Sequence, residues 1–171
     1  MAILASTLLD GGLIVPKIDI DAAPKTQGSR YPKPFDEPCL GRTATHVGAA
    51  GGLTQFGVVM LTLKPGAWSS QRHWHAKEDE FAYVIFGDVA LIEDAGETRL
   101  AVGDCVAWPA GVKNGHHLIN RGATDATLLI VGTRNANDFG EYPDIDMRFG
   151  SGRYDGPPGS VFTRKDGAPY S

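Results

Sequence analysis

The chain has 171 residues, of which 42% are hydrophobic and 21% are charged, values typical of one globular domain with its own core. Its formal net charge of −4, with no run of lysine or arginine, gives no electrostatic case for binding nucleic acid or an anionic membrane. The 22 glycines and 11 prolines indicate many turns, which favours an all-β fold of short strands.

The first predicted segment, residues 1–43, is an extended N-terminal arm. Prolines recur from Pro16 to Pro38 and disfavour long regular structure. The apolar stretch at residues 8–15 requires burial, so we expect the arm to pack on the barrel or on a partner subunit. Residues 3–15 are too few to span a bilayer and lack the basic start of a secretion signal, which predicts a cytoplasmic protein.

The second segment, residues 44–133, carries β-branched and alternating stretches separated by glycine and proline turns. Strands are predicted at residues 43–49, 53–63, 69–75, 80–86, 89–93, 97–101, 103–108, 116–120 and 126–132. Short strands at this spacing favour a barrel or a sandwich. The remaining residues, 134–171, form a predicted loop-rich extension, with turns or one short helix within residues 135–146. Its aromatic residues predict that it packs over the barrel.

Two histidines and a carboxylate make residues 66–80 the most informative stretch. In a strand, residues i and i+2 share a face, so the imidazoles of His73 and His75 would leave one face together. A turn after His75 would bring Glu80 alongside, and this set suits a divalent transition metal. Glu78 is the competing carboxylate, but its gap of two residues from His75 is short for a turn, so Glu80 is preferred.

The same alternation assigns the neighbours of the two histidines. Gln71 shares their face and is a candidate for binding substrate, whereas Arg72 and Trp74 face away.

Two further expectations concern isolated side chains. Cys105 lies in an apolar run and is expected to be buried and reduced, and His46 is expected to be a satisfied or exposed imidazole with no special role.

A second pattern follows in the residues Gly103, Pro109, Gly111, His116 and Asn120. With the first pattern, which runs from Gly66 to Gly87, it resembles the two motifs of the cupin superfamily. Six residues separate Gly66 from His73, where the first motif of the family has about five. Four residues separate Gly111 from His116, where the second motif has two. The gap of three residues to Asn120 favours His116 over His117 as the histidine of the second motif.

The resemblance implies a double-stranded β-helix, or jelly-roll barrel, that holds one metal ion between extended N- and C-terminal arms. The implied ligands are three imidazoles and one carboxylate, from His73, His75, His116 and Glu80. Ligand type alone does not choose among Fe, Mn, Ni and Zn, because the affinity order of divalent metals depends little on the site.

The range of activities in the family implies a metal-dependent enzyme that acts on a small molecule inside the barrel, similar to sugar or sugar-phosphate isomerases and epimerases. A dioxygenase that uses Fe and O₂ is an alternative, and a non-catalytic cupin that binds metal or a small ligand is another. A phosphate-handling enzyme would need basic residues at the mouth, for which Arg72, Lys113 and Arg121 are available, although alternation directs Arg72 outward. The resemblance also favours a homodimer.

Overall fold

The computed structural model describes residues 17–152 and 161–170. Its strands are β1 (Lys25–Gln27), β2 (Arg42–Thr45), β3 (Phe56–Leu63), β4 (Glu80–Phe86), β5 (Val89–Glu93), β6 (Gly96–Leu100), β7 (Cys105–Trp108), β8 (His117–Asn120), β9 (Ala126–Thr133), β10 (Gly140–Tyr142), β11 (Met147–Phe149) and β12 (Phe162–Thr163). Helical structure is limited to α1 (Val47–Ala50) and a 3₁₀ turn (Glu37–Cys39) within the described residues. None of the described helices is long and apolar enough to cross a membrane. The apolar stretch predicted to dock, residues 8–15, lies outside the described residues.

Two antiparallel sheets enclose the core. The large sheet has the order β1-β2-β3-β9-β4-β7, and the small sheet has the order β6-β5-β8. Buried side chains from both sheets meet in one cluster, which includes Leu61, Val84 and Leu128 from the large sheet and Leu91 and Leu118 from the small one. Removing such apolar surface from water is the main stabilising contribution to the fold. The predicted all-β barrel is confirmed.

The segment that carries the two histidines is not the regular strand predicted at residues 69–75. It runs antiparallel to β8 and pairs with it at two isolated bridges, Trp68 with Ile119 and His73 with His116. Between the bridges the histidine segment has more residues than its partner, so the chain bulges. At the bulge the Ser69 hydroxyl accepts a hydrogen bond from the Leu118 amide at 2.9 Å, in place of a backbone carbonyl.

Both arms contribute strands that the sequence did not predict. β1 pairs with β2 and extends the large sheet. In the C-terminal extension, β10, β11 and β12 form a third sheet, and residues 135–146 form turns and β10, with no helix. The aromatic side chains of Tyr142 and Phe149 are buried there beside Tyr31 and Phe35 of the N-terminal arm. The two arms therefore pack on each other at one end of the barrel.

One glycine allows the C-terminal extension to approach the histidine segment. A Cβ at Gly140 would collide with the carbonyl oxygen of Trp74 and with the ring of Phe149. The backbone contact is direct, because the Trp74 amide donates to the Glu141 carbonyl at 3.3 Å. A residue with any side chain at position 140 would push the extension away from this end of the barrel.

The outer face of the large sheet is apolar and exposed. Alternation along β4 turns Phe81, Tyr83 and Ile85 outward, each between 36% and 39% exposed. Cys105 pairs with Tyr83 and shares this face. It is exposed, so the expectation that it is buried was wrong, because β7 is the last strand of the sheet. The predicted homodimer stays a prediction.

Candidate metal centre

Four side chains converge inside one end of the barrel. His73 and His75 come from the bulged segment, Glu80 is the first residue of β4, and His116 directly precedes β8. The bridge between His73 and His116 brings the two segments side by side. Because β4 and β8 belong to different sheets, the site lies between the two layers.

The distances between the donor atoms are those of a metal-binding cluster. The Nε2 atoms of His73 and His75 are 3.1 Å apart. The Oε2 atom of Glu80 lies 3.9 Å from Nε2 of His73, 3.6 Å from Nε2 of His75 and 3.4 Å from Nε2 of His116. Two donors at right angles, each bound to an ion at about 2.1 Å, are roughly 3 Å apart. A small shift of these side chains would therefore accommodate a divalent ion.

The other ring nitrogen of each histidine is held by an acceptor outside the cluster. Nδ1 of His75 lies 2.7 Å from Oδ2 of Asp138, and Nδ1 of His73 lies 2.9 Å from the carbonyl oxygen of Gln71. Nδ1 of His116 lies 3.3 Å from the carbonyl oxygen of Asn114. A carbonyl oxygen only accepts, so this arrangement favours a proton on Nδ1 and directs the lone pair of Nε2 toward the centre.

The electrostatics of the cluster favour the protonation states that metal binding requires. Burial alone would raise the pKa of Glu80, but the contact with His116 and the fields of the three imidazoles outweigh it, so the pKa of Glu80 is lowered. Burial lowers the pKa of His73 well below its ordinary value, and His75 and His116 add to the effect. The centre therefore favours an ionised carboxylate and a neutral His73 at neutral pH.

His116 and His117 point to opposite sides of the small sheet. The ring of His116 stacks on Trp108 with centroids 3.9 Å apart, and the indole nitrogen of Trp108 donates to Glu93 at 3.0 Å. His117 instead stacks on Trp68, with centroids 4.4 Å apart, away from Glu80. Burial, as the largest contribution, lowers the pKa of His117 to about 4. The structure thus brings His116 into the cluster and leaves His117 out of it.

Glu78 lies beside His75 and next to Asp138. The three side chains form a second group of close oxygen and nitrogen atoms, and all three are buried. Oε1 of Glu78 accepts a hydrogen bond from the Asn135 amide at 2.6 Å. Sequence reasoning missed Asp138, which contacts His75 from a turn 63 residues away. No spacing signal connects residues so far apart.

Gln71 makes a structural contact. Its side-chain amide donates to the carbonyl oxygen of Phe35 at 2.7 Å and so holds the N-terminal arm against the histidine segment. Gln71 is 7% exposed and is not among the described residues that line the cavity, so its predicted contact with substrate gains no support from the structure. The alternation rule failed here because the bulge ends the regular strand.

A cavity of about 800 Å³ opens from the metal centre. Tyr142 and Phe149 close over the histidines, with ring centroids 5.7 Å from His73 and 5.2 Å from His75 respectively. Val59 and Ile130 line the cavity from the large sheet. A volume of this size suits a small organic molecule.

The basic residues expected at the mouth are engaged elsewhere. Arg72 pairs with Asp94 and Asp144, outside the cavity. The amine of Lys113 lies 5.3 Å from the ring centroid of Trp74, and Arg121 pairs with Glu97 at 2.6 Å. The described cations that line the cavity are three arginines that no sequence pattern indicated: Arg30, Arg42 and Arg134.

Known proteins resemble this chain in sequence and in architecture. A family profile described as "Cupin domain" matches residues 59–132. A sugar phosphate isomerase of the cupin superfamily from Silicibacter pomeroyi is 43% identical, with a TM-score of 0.84 over 91% of this chain and 97% of that chain. The chain belongs to the cupin superfamily. The resemblance seen in the two motifs is therefore confirmed.

Other solved structures resemble this cupin at lower identity. A proposed sugar phosphate isomerase from Acidithiobacillus ferrooxidans is 25% identical, with a TM-score of 0.66 over 76% of this cupin and 80% of that chain. A protein from Thermotoga maritima described as a predicted oxalate decarboxylase is 18% identical, with a TM-score of 0.55 over 70% of this cupin and 100% of that chain, and shows the fold alone. No curated protein matches the sequence of this cupin.

Proposed function

We propose that this cupin is a divalent-metal-dependent isomerase that acts on a sugar phosphate. The observation that carries the proposal is the convergence of three imidazole nitrogens and one carboxylate oxygen at the base of a cavity. The 43% identity to a sugar phosphate isomerase over 91% of the chain supports the substrate class.

His73, His75, His116 and Glu80 would hold the metal ion. The donor set fits such an ion, because each imidazole has its second nitrogen facing an acceptor and the carboxylate is ionised. A bound divalent ion would act as a Lewis acid that polarises the carbonyl and hydroxyl oxygens of the sugar. Fe, Mn, Ni and Zn all remain compatible with this ligand set.

Glu78 is the proposed base that moves a proton between neighbouring sugar carbons. Isomerisation of an aldose and a ketose needs a group that removes a proton from one carbon and returns it to the next. Glu78 is 2% exposed and lines the cavity beside His75. Other acids and bases near the motifs lie elsewhere: Tyr83 is on the exposed outer face, and Asp104 accepts the Ala101 amide at 2.7 Å.

Tyr142 and Phe149 would exclude water from the reaction. Both rings pack against the histidines and come from the C-terminal extension, so the extension covers the metal end of the cavity. A drier site strengthens the interaction of the carboxylates with the reacting atoms and protects an enediol from side reactions. We therefore assign the extension a functional role as well as a structural one.

Metal content and activity together test the proposal. The protein is purified without a histidine tag or chelator, its metal is measured by plasma mass spectrometry, and interconversion of aldose and ketose phosphates is assayed by NMR. We expect about one equivalent of metal per chain and activity that a chelator abolishes. His75→Ala should lose both metal and activity but keep the fold, whereas Glu78→Gln should keep the metal and lose activity. Glu97→Gln, on exposed β6, is the matched control and should keep both.

The alternatives give different results in the same experiment. Iron with substrate-dependent O₂ uptake would favour the dioxygenase over the isomerase. Bound metal and bound sugar phosphate without turnover would favour a binding protein. Full metal content in His75→Ala would refute the assignment of the centre itself.

A further inference from the structure

Carboxylates and arginines both line the cavity. Glu78, Asp79 and Glu80 line it near the metal centre. Arg30 lines it from the N-terminal arm, Arg42 from β2 and Arg134 from the end of β9, and none of the three belongs to the two cupin motifs. A substrate that carries both hydroxyl groups and an anionic group would match this combination.

Arg42 lines the cavity from the large sheet. It is the first residue of β2, and the side chains that line the cavity from this strand, Arg42, Ala44 and the following His46, alternate along one face. Nη1 of Arg42 donates to the carbonyl oxygen of Gly28 at 3.3 Å, a long hydrogen bond. Its Nε is buried without a hydrogen-bond partner, and no carboxylate of the described chain forms an ion pair with it.

A half-buried guanidinium without a counterion is unfavourable, because its charge has lost part of its hydration and gains only one long hydrogen bond in return. Guanidinium groups match phosphate oxygens in a planar, two-pronged geometry and are the usual protein donors to phosphate. The unsatisfied Nε of Arg42 is thus the kind of donor that a phosphate group would complete.

Arg134 and His46 lie on the same part of the wall. Arg134 follows β9, and its guanidinium lies beside Gly57, 3.5 Å from the position that a Cβ would take there. Nε2 of His46 lies 3.0 Å from the hydroxyl of Thr26. Burial lowers the pKa of His46, and the charges of Arg42 and Arg134 lower it further, so the fields of both arginines reach this imidazole. His46 is therefore not the isolated side chain that the sequence suggested.

We propose that Arg42, Arg134 and His46 form the subsite that binds the phosphate group of the substrate, while its sugar carbons lie toward the metal centre. This inference rests on the proposed function for the identity of the substrate. The subsite itself is an anion site and is testable without any turnover.

Binding of inorganic phosphate by isothermal titration calorimetry tests the subsite directly. The measurement is made on the metal-loaded protein and again after removal of metal with a chelator. We expect phosphate to bind in both states, and Arg42→Gln to weaken binding by about 10- to 100-fold, the loss expected for hydrogen bonds to a charged group. Arg42→Lys should weaken it less, since the charge remains. Arg99→Gln, whose partner is Asp88 on the surface, is the control and should bind like the wild type.

A second readout does not depend on how well the Arg42 variants fold. In two-dimensional NMR of the wild-type protein, added phosphate should shift the ring signals of His46 more than those of His117, which lines the same cavity but stacks on Trp68. Phosphate binding that disappears in His75→Ala but persists in Arg42→Gln would place the anion on the metal and overturn the proposal. Absence of binding at millimolar phosphate would overturn it as well.

Kinetics distinguish this proposal from the isomerase itself. If the protein isomerises sugar phosphates, Arg42→Gln should raise KM for the phosphorylated sugar by about 10- to 100-fold with a smaller change in kcat, and should leave KM for the unphosphorylated sugar unchanged. Phosphate binding without any isomerase activity would refute the proposed function and support the subsite. Tighter binding of a sugar acid than of the matching sugar phosphate would refute the choice of phosphate.

Discussion

The two ends of the barrel are built on the same strands and have opposite properties. β4 presents Glu80 at the metal end and the buried side chain of Val84 at the other. β9 likewise presents Gly132 to the cavity and Leu128 to the core. The closed end is filled by aliphatic side chains that are fully buried, whereas the open end holds the cavity of about 800 Å³.

The difference lies in the residues and not in the backbone pattern, because the inward alternation continues along each strand from one end to the other. Glycines at positions 57 and 132 line the cavity where a larger side chain would fill it. The closed end contributes the apolar burial that offsets the ordering of the chain. The open end collects polar groups that only partners, ions or ligands can satisfy.

The largest effect is expected from a substitution in the core at the closed end of the barrel. Leu128 is completely buried in the core cluster, so Leu128→Ala removes apolar contacts and leaves a cavity. We expect the free energy of unfolding to fall by about 2–5 kcal/mol, while the folded protein keeps its metal. Urea denaturation followed by circular dichroism measures the change. Leu40→Ala, at a site that is 59% exposed, is the control and should have little effect. A loss of metal that exceeds the loss of folded protein would show that the two ends are coupled.

A smaller effect is expected when a residue that orients a metal ligand is changed and the ligand itself is kept. Asp138 accepts from Nδ1 of His75 and from the Lys77 amide, so Asp138→Asn keeps the shape but removes the charge that orients the imidazole. We expect metal affinity to fall by about 10- to 100-fold, as is usual for a residue that supports a metal ligand. Competition with a fluorescent chelator measures the affinity. Asp166→Asn, in a surface turn, should leave it unchanged, and an unaltered affinity in Asp138→Asn would refute the role of Asp138.

The sequence predicted what depends on local pattern. The strands β4, β5 and β9 were predicted nearly to the residue, because their alternation and their bounding glycines are local signals. The short loop from His75 to Glu80 likewise allowed the cluster of donors to be foreseen. The contact of Asp138 with His75 and the position of Arg42 in the cavity wall could not be predicted, because they depend on contacts between distant segments. The bulge near Ser69 escaped prediction because a side-chain oxygen replaces a backbone acceptor there.

The smallest effect is expected for the two cysteines, one of which is buried and the other exposed. Cys39 is 0% exposed and burial, the largest contribution, raises the pKa of its thiol to about 11, whereas Cys105 is exposed on the outer face. Because the thiolate is the reactive species, a disulfide reagent at pH 8 should modify Cys105 quickly and Cys39 only after unfolding. Counting modified thiols by absorbance, with and without denaturant, measures the difference.

Two variants assign the reacting thiols. Cys105→Ser should remove the fast reaction and Cys39→Ser should preserve it, since only the first removes the exposed thiol. Rapid modification of Cys39 in the folded protein would contradict the packing of the N-terminal arm against the barrel. Protection of both thiols at micromolar concentration, lost on dilution, would instead place Cys105 in an interface between two copies. That outcome would explain why Phe81, Tyr83 and Ile85 are exposed on the same face and would support the predicted homodimer.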